Sequence, residues 1–199
     1  MKLGENRGSS PTMRPLTYVF LLLLIISSTC ESSTTLEDTC KSFAAGHPSI
    51  GYNYCVKTFH ADNASATADA RGLAAIAAKI AGAAANGTAR RIAALCASEE
   101  DAGRRERLGV CAEVYSVAVD QLGEAAKDIA RGEDKSTRDA LTQLSAALDA
   151  PGTCEDAFGE ADDTSPLAAE DAEFRKLATM ALGVAALLSP PPSAPRISD

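Results

Sequence analysis

Six cysteines, two histidines and 27 Asp and Glu side chains are the groups in this 199-residue chain that could do chemistry. Nucleophilic catalysis needs a base within hydrogen-bond reach of a serine or cysteine, and a third group to orient that base. His47 lies in the turn His47-Pro48-Ser49-Ile50-Gly51 and His60 ends a short helical piece over 56–61; no nucleophile and acid are spaced to meet either. The acids fall side by side in Glu99-Glu100-Asp101, Glu133-Asp134, Glu155-Asp156 and Asp162-Asp163, all in polar connections, which reads as solvated acidic edges. None has the twelve-residue ligand pattern of a calcium loop. A zinc site needs four ligands at compact spacings, and a two-metal bundle site needs Glu-x-x-His on its helices; both are missing, as is a glycine-rich phosphate loop. No catalytic residue, metal or cofactor is expected.

The cysteines point to another kind of chemistry. Lys2, Arg7 and Arg14 precede an apolar run over 16–26, and Ser27-Ser28-Thr29-Cys30 then supplies small residues for cleavage. This reads as a secretory signal peptide over 1–30, with a signal anchor as the alternative. No Lys-Asp-Glu-Leu type signal follows, so export is expected, with no membrane association after cleavage. Cys40, Cys55, Cys96, Cys111 and Cys154 then occupy an oxidising compartment. Five is odd, so at least one thiol is free or pairs between chains. Closing the 40–55 loop would contribute about 3 kcal/mol by the chain-entropy argument, and a bridge from Cys111 to Cys154 about 4 kcal/mol. Spacing alone does not fix the pairing.

These groups must be positioned by helices. Alanine is abundant, tryptophan is absent and aromatics make up 5% of the chain, which suits closely packed helices better than sheets. Over 104–130, Leu108, Cys111, Tyr115, Ala118 or Val119, Leu122, Ala126 and Ile129 recur every three or four residues. The opposite face carries Glu106, Arg107, Glu113, Ser116, Asp120, Glu124, Lys127 and Asp128. A second stripe, from Leu73 through Ile76, Ile80, Ala84, Thr88, Ile92 and Cys96, predicts a helix starting near 66 and ending at 98. Its weak spot is Asn86-Gly87, where glycine costs about 1 kcal/mol relative to alanine and a break into two helices is the alternative. Asn63-Ala64-Ser65 and Asn86-Gly87-Thr88 satisfy the glycosylation rule, which makes Asn63 and Asn86 candidate glycan sites.

A third helix is expected over 135–150, with Leu141, Leu144 and Leu148 inward, stopped by Pro151-Gly152. The stretch 153–166 shows no period and reads as an exposed loop tied down at Cys154. A last helix is expected over 167–188, and 190–199 should be a disordered tail. The fold class is therefore all-α. Four amphipathic helices over 63–189 form an up-down-up-down bundle, with 31–62 as a helical extension outside it. The formal charge of −8 disfavours nucleic acid as a partner.

Cys40 and Cys55 with Tyr54 before the second, Thr67-Ala68-Asp69-Ala70-Arg71-Gly72-Leu73, Cys111-Ala112-Glu113-Val114-Tyr115, Leu144-Ser145-Ala146-Ala147-Leu148 and Thr153-Cys154-Glu155-Asp156-Ala157-Phe158 carry a resemblance. So do Ser165-Pro166-Leu167 and Phe174-Arg175-Lys176-Leu177-Ala178. Together they make 39–188 similar to the plant invertase and pectin methylesterase inhibitor family. The resemblance implies a four-helix bundle with an N-terminal helical hairpin, disulfides Cys40–Cys55 and Cys111–Cys154, and secretion to the cell wall or apoplast. It also implies a protein inhibitor of a carbohydrate-active enzyme; the chain is expected to be a monomer. Cys96 is left over, and its place on the apolar stripe favours a buried free thiol over an intermolecular bridge.

The resemblance also bears on the target. Invertase-directed members carry Pro-Lys-Phe between the second and third bundle helices, and the matching stretch here is Asp134-Lys135-Ser136. The charged tip Lys135 is kept, while the rigid entry and the aromatic anchor are not. This favours pectin methylesterase as the partner, with invertase inhibition through Lys135 as the alternative and a non-inhibitory cell-wall protein as a third reading. The expected target-binding residues are Ser116, Asp120, Gly123, Glu124 and Lys127 on the central helix, beside Thr142, Gln143 and Ser145 on the third.

Overall fold

The computed structural model describes residues 31–189, so the signal-peptide and tail expectations lie outside the described residues. Helix α1 is Glu31–Gly46 and α2 is Gly51–His60, joined by the tight turn at His47. A 3-10 turn, Asn63–Thr67, leads into α3, Ala70–Ser98. Then come α4, Ala102–Arg131; α5, Asp134–Leu148; α6, Ala150–Gly159; and α7, Ala168–Ala186.

Capping side chains set the starts of the two longest helices. Asp69 accepts the Gly72 N–H at 2.7 Å and Asp101 accepts the Arg104 N–H at 2.7 Å, which satisfies donors that no helical carbonyl can reach. The Asp69 cap explains why α3 begins at Ala70 and not near 66. Helix α4 ends at Gly132, whose φ of 82° is the left-handed conformation that only glycine adopts without strain. No break occurs at Asn86-Gly87. Thr88 and Ile92 are buried just beyond that pair, and the Thr88 hydroxyl donates to the Ala84 carbonyl at 3.2 Å, so tertiary burial outweighs the cost of one glycine.

Helix α4 packs against α3, α5 and α6, and α7 packs against α3, α5 and α6. The buried stripe of α4 is Leu108, Cys111, Tyr115, Ala118, Leu122, Ala125, Ala126 and Ile129. It faces an unusually small-sided α3, where Ala74, Ala75, Ala77, Ala78, Ala81 and Ala85 are all buried. Short side chains bring the two axes close and leave the larger residues to interlock. The α1–α2 hairpin is not detached from this core. Phe43 and Phe59 are buried, and a Cβ built on Gly183 of α7 would lie 2.8 Å from the Phe43 ring and 3.0 Å from His47 Nε2. Only glycine lets the hairpin approach α7 so closely.

The stretch expected as a loop over 153–166 is a helix in its first half. Pro151 sits in the first turn of α6, where its missing N–H removes no hydrogen bond. Ala150, Cys154 and Phe158 then bury one face at four-residue intervals. The third long element of the bundle is thus α5 and α6 in tandem, turning at Asp149. Bridges Cys40–Cys55 and Cys111–Cys154 are both formed, the second joining α4 to α6 with 4.6 Å between Cα atoms. Cys96 is free and half-buried, less enclosed than the apolar stripe implies, because it lies near the exposed end of α3.

Of the acidic edge at Asp162-Asp163, Asp162 is exposed as expected, while Asp163 is not a free surface acid. Asp163 accepts from Arg107 Nη2 at 2.9 Å and from Arg104 Nη1, and both guanidinium groups lie 5.6 Å from the centroid of the Phe158 ring. Partial burial opposes ionisation of Asp163. The Arg107 hydrogen bond, the Thr164 N–H and Arg104 outweigh it and hold the carboxyl below its ordinary value.

Replacing Cys154 with alanine should lower stability by up to about 4 kcal/mol, because the bridge closes a long loop, whereas Cys96→Ala should cost little. Urea midpoints of the two variants check the order. Asp163→Asn should lower the thermal midpoint by several degrees while Asp162→Asn leaves it nearly unchanged, since only Asp163 meets the two arginines.

Candidate docking face

The described residues contain no group of three or more His, Cys, Asp and Glu side chains able to hold a metal ion. His47 stacks on Phe43 with ring centroids 4.7 Å apart, and His60 is exposed at the end of α2. No described helix is long and apolar enough to cross a membrane. What the fold does present is the outer surface of α4 and α5.

Ser116, Asp120, Gly123, Glu124 and Lys127 are all exposed along α4, because each lies off the stripe that α3, α5 and α6 cover. Lys127 donates to Glu124 at 2.7 Å; this hydrogen bond, more than its charge, holds the Glu124 carboxyl below its ordinary value. Gly123 and Lys127 border a groove of about 530 Å³ between α3 and α4, together with Gly82, Val119 and Asn86. Asn86 and Asn63 are both exposed. On α5, Thr142 and Ser145 are exposed but line a different depression, formed against Leu182 and Ala186 of α7. The expected residues therefore spread over the outer surface and do not converge on one pocket.

Two of the sequence assignments move inward. Asp128, read as part of the wet face, is 6% exposed and accepts from Arg131 and from Gln143 Nε2, the latter at 3.0 Å. Gln143 is accordingly half-buried and clamps α5 to α4. Periodicity misses this pair because a short polar bond across the seam satisfies a carboxylate that would otherwise need water.

Lys135 stands on no projecting loop. Only Gly132 and Glu133 separate α4 from α5, and the Arg71 guanidinium braces the corner, donating to the Ile129 carbonyl at 3.2 Å and lying 3.2 Å from where a Gly132 Cβ would be. Lys135 is in the first turn of α5, highly exposed and 3.3 Å from Asp139, while Ser136 is buried.

Sequence reasoning missed the centre of the face. Val110 and Val117 of α4 are 37% and 52% exposed, and with Leu187 they are the exposed large apolar side chains of the described residues. Their seven-residue spacing puts them on one side of the helix. Val117, Glu113 and Val114 face Ala146, Asp149, Ala150 and Thr153 across a shallow depression. Glu113 and Asp149 give the depression beside Val117 an acidic edge. The signal was available, since Val110 and Val117 are apolar residues standing off the buried stripe.

Gln143→Ala should lower stability by about 1.5–3 kcal/mol, because it strips a hydrogen bond from a buried carboxylate. Thr142→Ala and Ser145→Ala should stay within about 0.5 kcal/mol of the parent. Urea titration of the three variants checks this.

Comparison with known proteins gives a consistent picture. Residues 25–184 match the family described as plant invertase/pectin methylesterase inhibitor. A Platanus acerifolia protein provisionally named an invertase inhibitor is 32% identical over 170 residues, 85% of this chain and 93% of its own length. The Arabidopsis thaliana "Cell wall / vacuolar inhibitor of fructosidase 2" is 32% identical over 149 residues, covering 70% of this chain and 78% of its own. "Pectinesterase inhibitor 28" of Oryza sativa subsp. japonica is 33% identical over 174 residues, covering 82% and 73%. The crystal structure of a mutant pectin methylesterase inhibitor from Arabidopsis superposes with a TM-score of 0.59 at 22% identity, over 69% of this chain and 90% of that one, which is a likeness of fold.

Proposed function

The chain belongs to the plant invertase/pectin methylesterase inhibitor family, and on that premise we propose that it is a non-catalytic, extracellular inhibitor that binds a pectin methylesterase through the outer face of α4 and α5. The observation that carries this reading is the exposed Val110–Val117 strip on a continuous helix, with acids beside Val117. Apolar side chains held on a packed helix lose little entropy on docking, so their burial is available for affinity. The carboxylates around them would steer the inhibitor to a basic rim of the kind that receives polygalacturonate, and would make binding weaken as salt rises. Blocking a substrate groove in this way asks for no catalytic residue.

Inhibition of invertase is the second reading, and the names of the Platanus and Arabidopsis relatives favour it. Against it stands the corner at Gly132. A plug must project and carry an anchor, whereas here Lys135 lies along a helix beside Asp139 and the residue after it is buried. Asp134 adds a charge that glycosidase carboxylates would repel.

In assays of the purified chain against both enzymes, pectin methylesterase should be inhibited and invertase should stay essentially active at excess inhibitor and acidic pH. Val117→Asp, or Asp120→Lys with Glu124→Lys, should weaken inhibition of the esterase at least about tenfold with little change in thermal midpoint. Lys135→Ala should have a modest effect. Strong invertase inhibition abolished by Lys135→Ala would reverse the assignment.

A further inference from the structure

Asp171 lies in the first turn of α7 and is only 2% exposed. Tyr115 of α4, fully buried and 5.3 Å in ring centroid from Phe174, donates its hydroxyl to Asp171 Oδ1. Burial, and then Asp171 itself, hold the Tyr115 phenol above its ordinary range, so it remains a donor. The other Asp171 oxygen, Oδ2, is sealed from solvent without a hydrogen-bond partner, and so is Oε1 of Glu155 on α6. Glu155 lies within hydrogen-bond reach of Asp171. It is also the neighbour of Cys154, whose bridge goes to Cys111, one turn before Tyr115 on α4. The disulfide thus fixes the helix that carries Glu155 against the helix that carries Tyr115.

Ionised carboxylates only accept hydrogen bonds. Two of them with facing, dehydrated oxygens repel each other and leave both oxygens unsatisfied. One proton between those oxygens turns the repulsion into a short O–H···O⁻ bond and satisfies both. We propose that Asp171 and Glu155 share one proton in the folded chain, and that this proton is a pH-sensitive latch fastening α6 and α7 to Tyr115 of α4.

Several groups act on the pair. Arg175 of α7, the Tyr115 hydroxyl of α4 and the N-terminal dipole of α7 favour the ionised form. Burial first, and then the Glu155 side chain of α6, favour the protonated form and prevail, pushing the Asp171 carboxyl up to about 7. The folded state therefore keeps a proton that the unfolded chain loses near the ordinary aspartate value of 3.8. Proton binding favours the folded state, so the latch contributes fully in acid and is lost as pH rises through about 7. Above that, the proton between Asp171 Oδ2 and Glu155 Oε1 is gone, and α6 and α7 lose the bond it made. This holds whichever enzyme the outer face meets.

The test uses the chain with both disulfides formed and needs no target enzyme. Thermal midpoints are measured between about pH 4 and about pH 8 for the parent, Asp171→Asn, Glu155→Gln and Tyr115→Phe. Infrared spectra of the parent over the same range follow the C=O stretch of a protonated carboxylic acid. The parent midpoint should fall as pH rises toward neutrality. Asp171→Asn, whose amide can donate to Glu155 at every pH, should lose most of that slope, while Tyr115→Phe should keep it at a lower midpoint. A carboxylic-acid band should persist well above the ordinary aspartate range and vanish near neutrality. An unchanged slope in Asp171→Asn, or no such band, would overturn the proposal. If Asp171→Asn does not fold, the infrared titration of the parent and the slope of Glu155→Gln decide the matter in the same sense.

Discussion

Everything in this molecule depends on how closely α4 and α3 can approach. Six of the ten buried positions of α3 are alanine, so the two longest helices lie against each other with little side-chain volume between them along much of their length. Such an interface gains from contact density more than from large buried groups, and it tolerates little change in volume. The larger residues Tyr115, Leu122, Ile129, Phe158 and Phe174 are fully buried, Leu122 beside Gly82 of α3 and Tyr115 against Phe174 of α7. A bundle assembled this way holds α4 as one continuous helix from Ala102 to Arg131, and its outer surface is supported along that length.

Polar bonds then fasten the two ends of α4. At its start, Arg104 and Arg107 gather Asp163, so that the connection into α7 is held where Phe158 and the Cys111–Cys154 bridge already anchor α6. At its end, Asp128 takes Gln143 and Arg131, and Arg71 supports the turn at Gly132. Half-buried ion pairs of this kind matter more than fully exposed ones, because water competes less for the same groups. They also explain why the α4–α5 face is preformed: neither helix can slide or rotate without breaking a bond that nothing else replaces.

The all-α class, the bundle and the long amphipathic segments were legible in the sequence, because a one-sided helix must bury its stripe and the chain supplies enough such stripes to cover one another. The leader-like N-terminus was equally plain as a sequence feature, and with it the expectation that five cysteines remain after cleavage. Pairing was not: five thiols allow several arrangements, and it took the likeness of Cys111-Ala112-Glu113-Val114-Tyr115 and Thr153-Cys154-Glu155 to family motifs to choose the one that is formed. Helix α6 was hidden behind Pro151-Gly152, since proline and glycine ordinarily end a helix and here open one.

The sequence by itself determined where apolar stripes run, because helical periodicity is a local property of side-chain spacing. Only the tertiary structure decided which polar residues are wet. Asp128, Gln143, Asp163 and Asp171 look like ordinary surface groups in the sequence, yet each is held by a partner from another helix. Conversely, Val110 and Val117 are apolar and yet stand exposed, because among the described residues no other segment packs over the side of α4 that carries them. The physical reason is the same in both cases. Burial and hydrogen bonding of a side chain depend on what a distant segment places opposite it, and no window along one helix contains that segment.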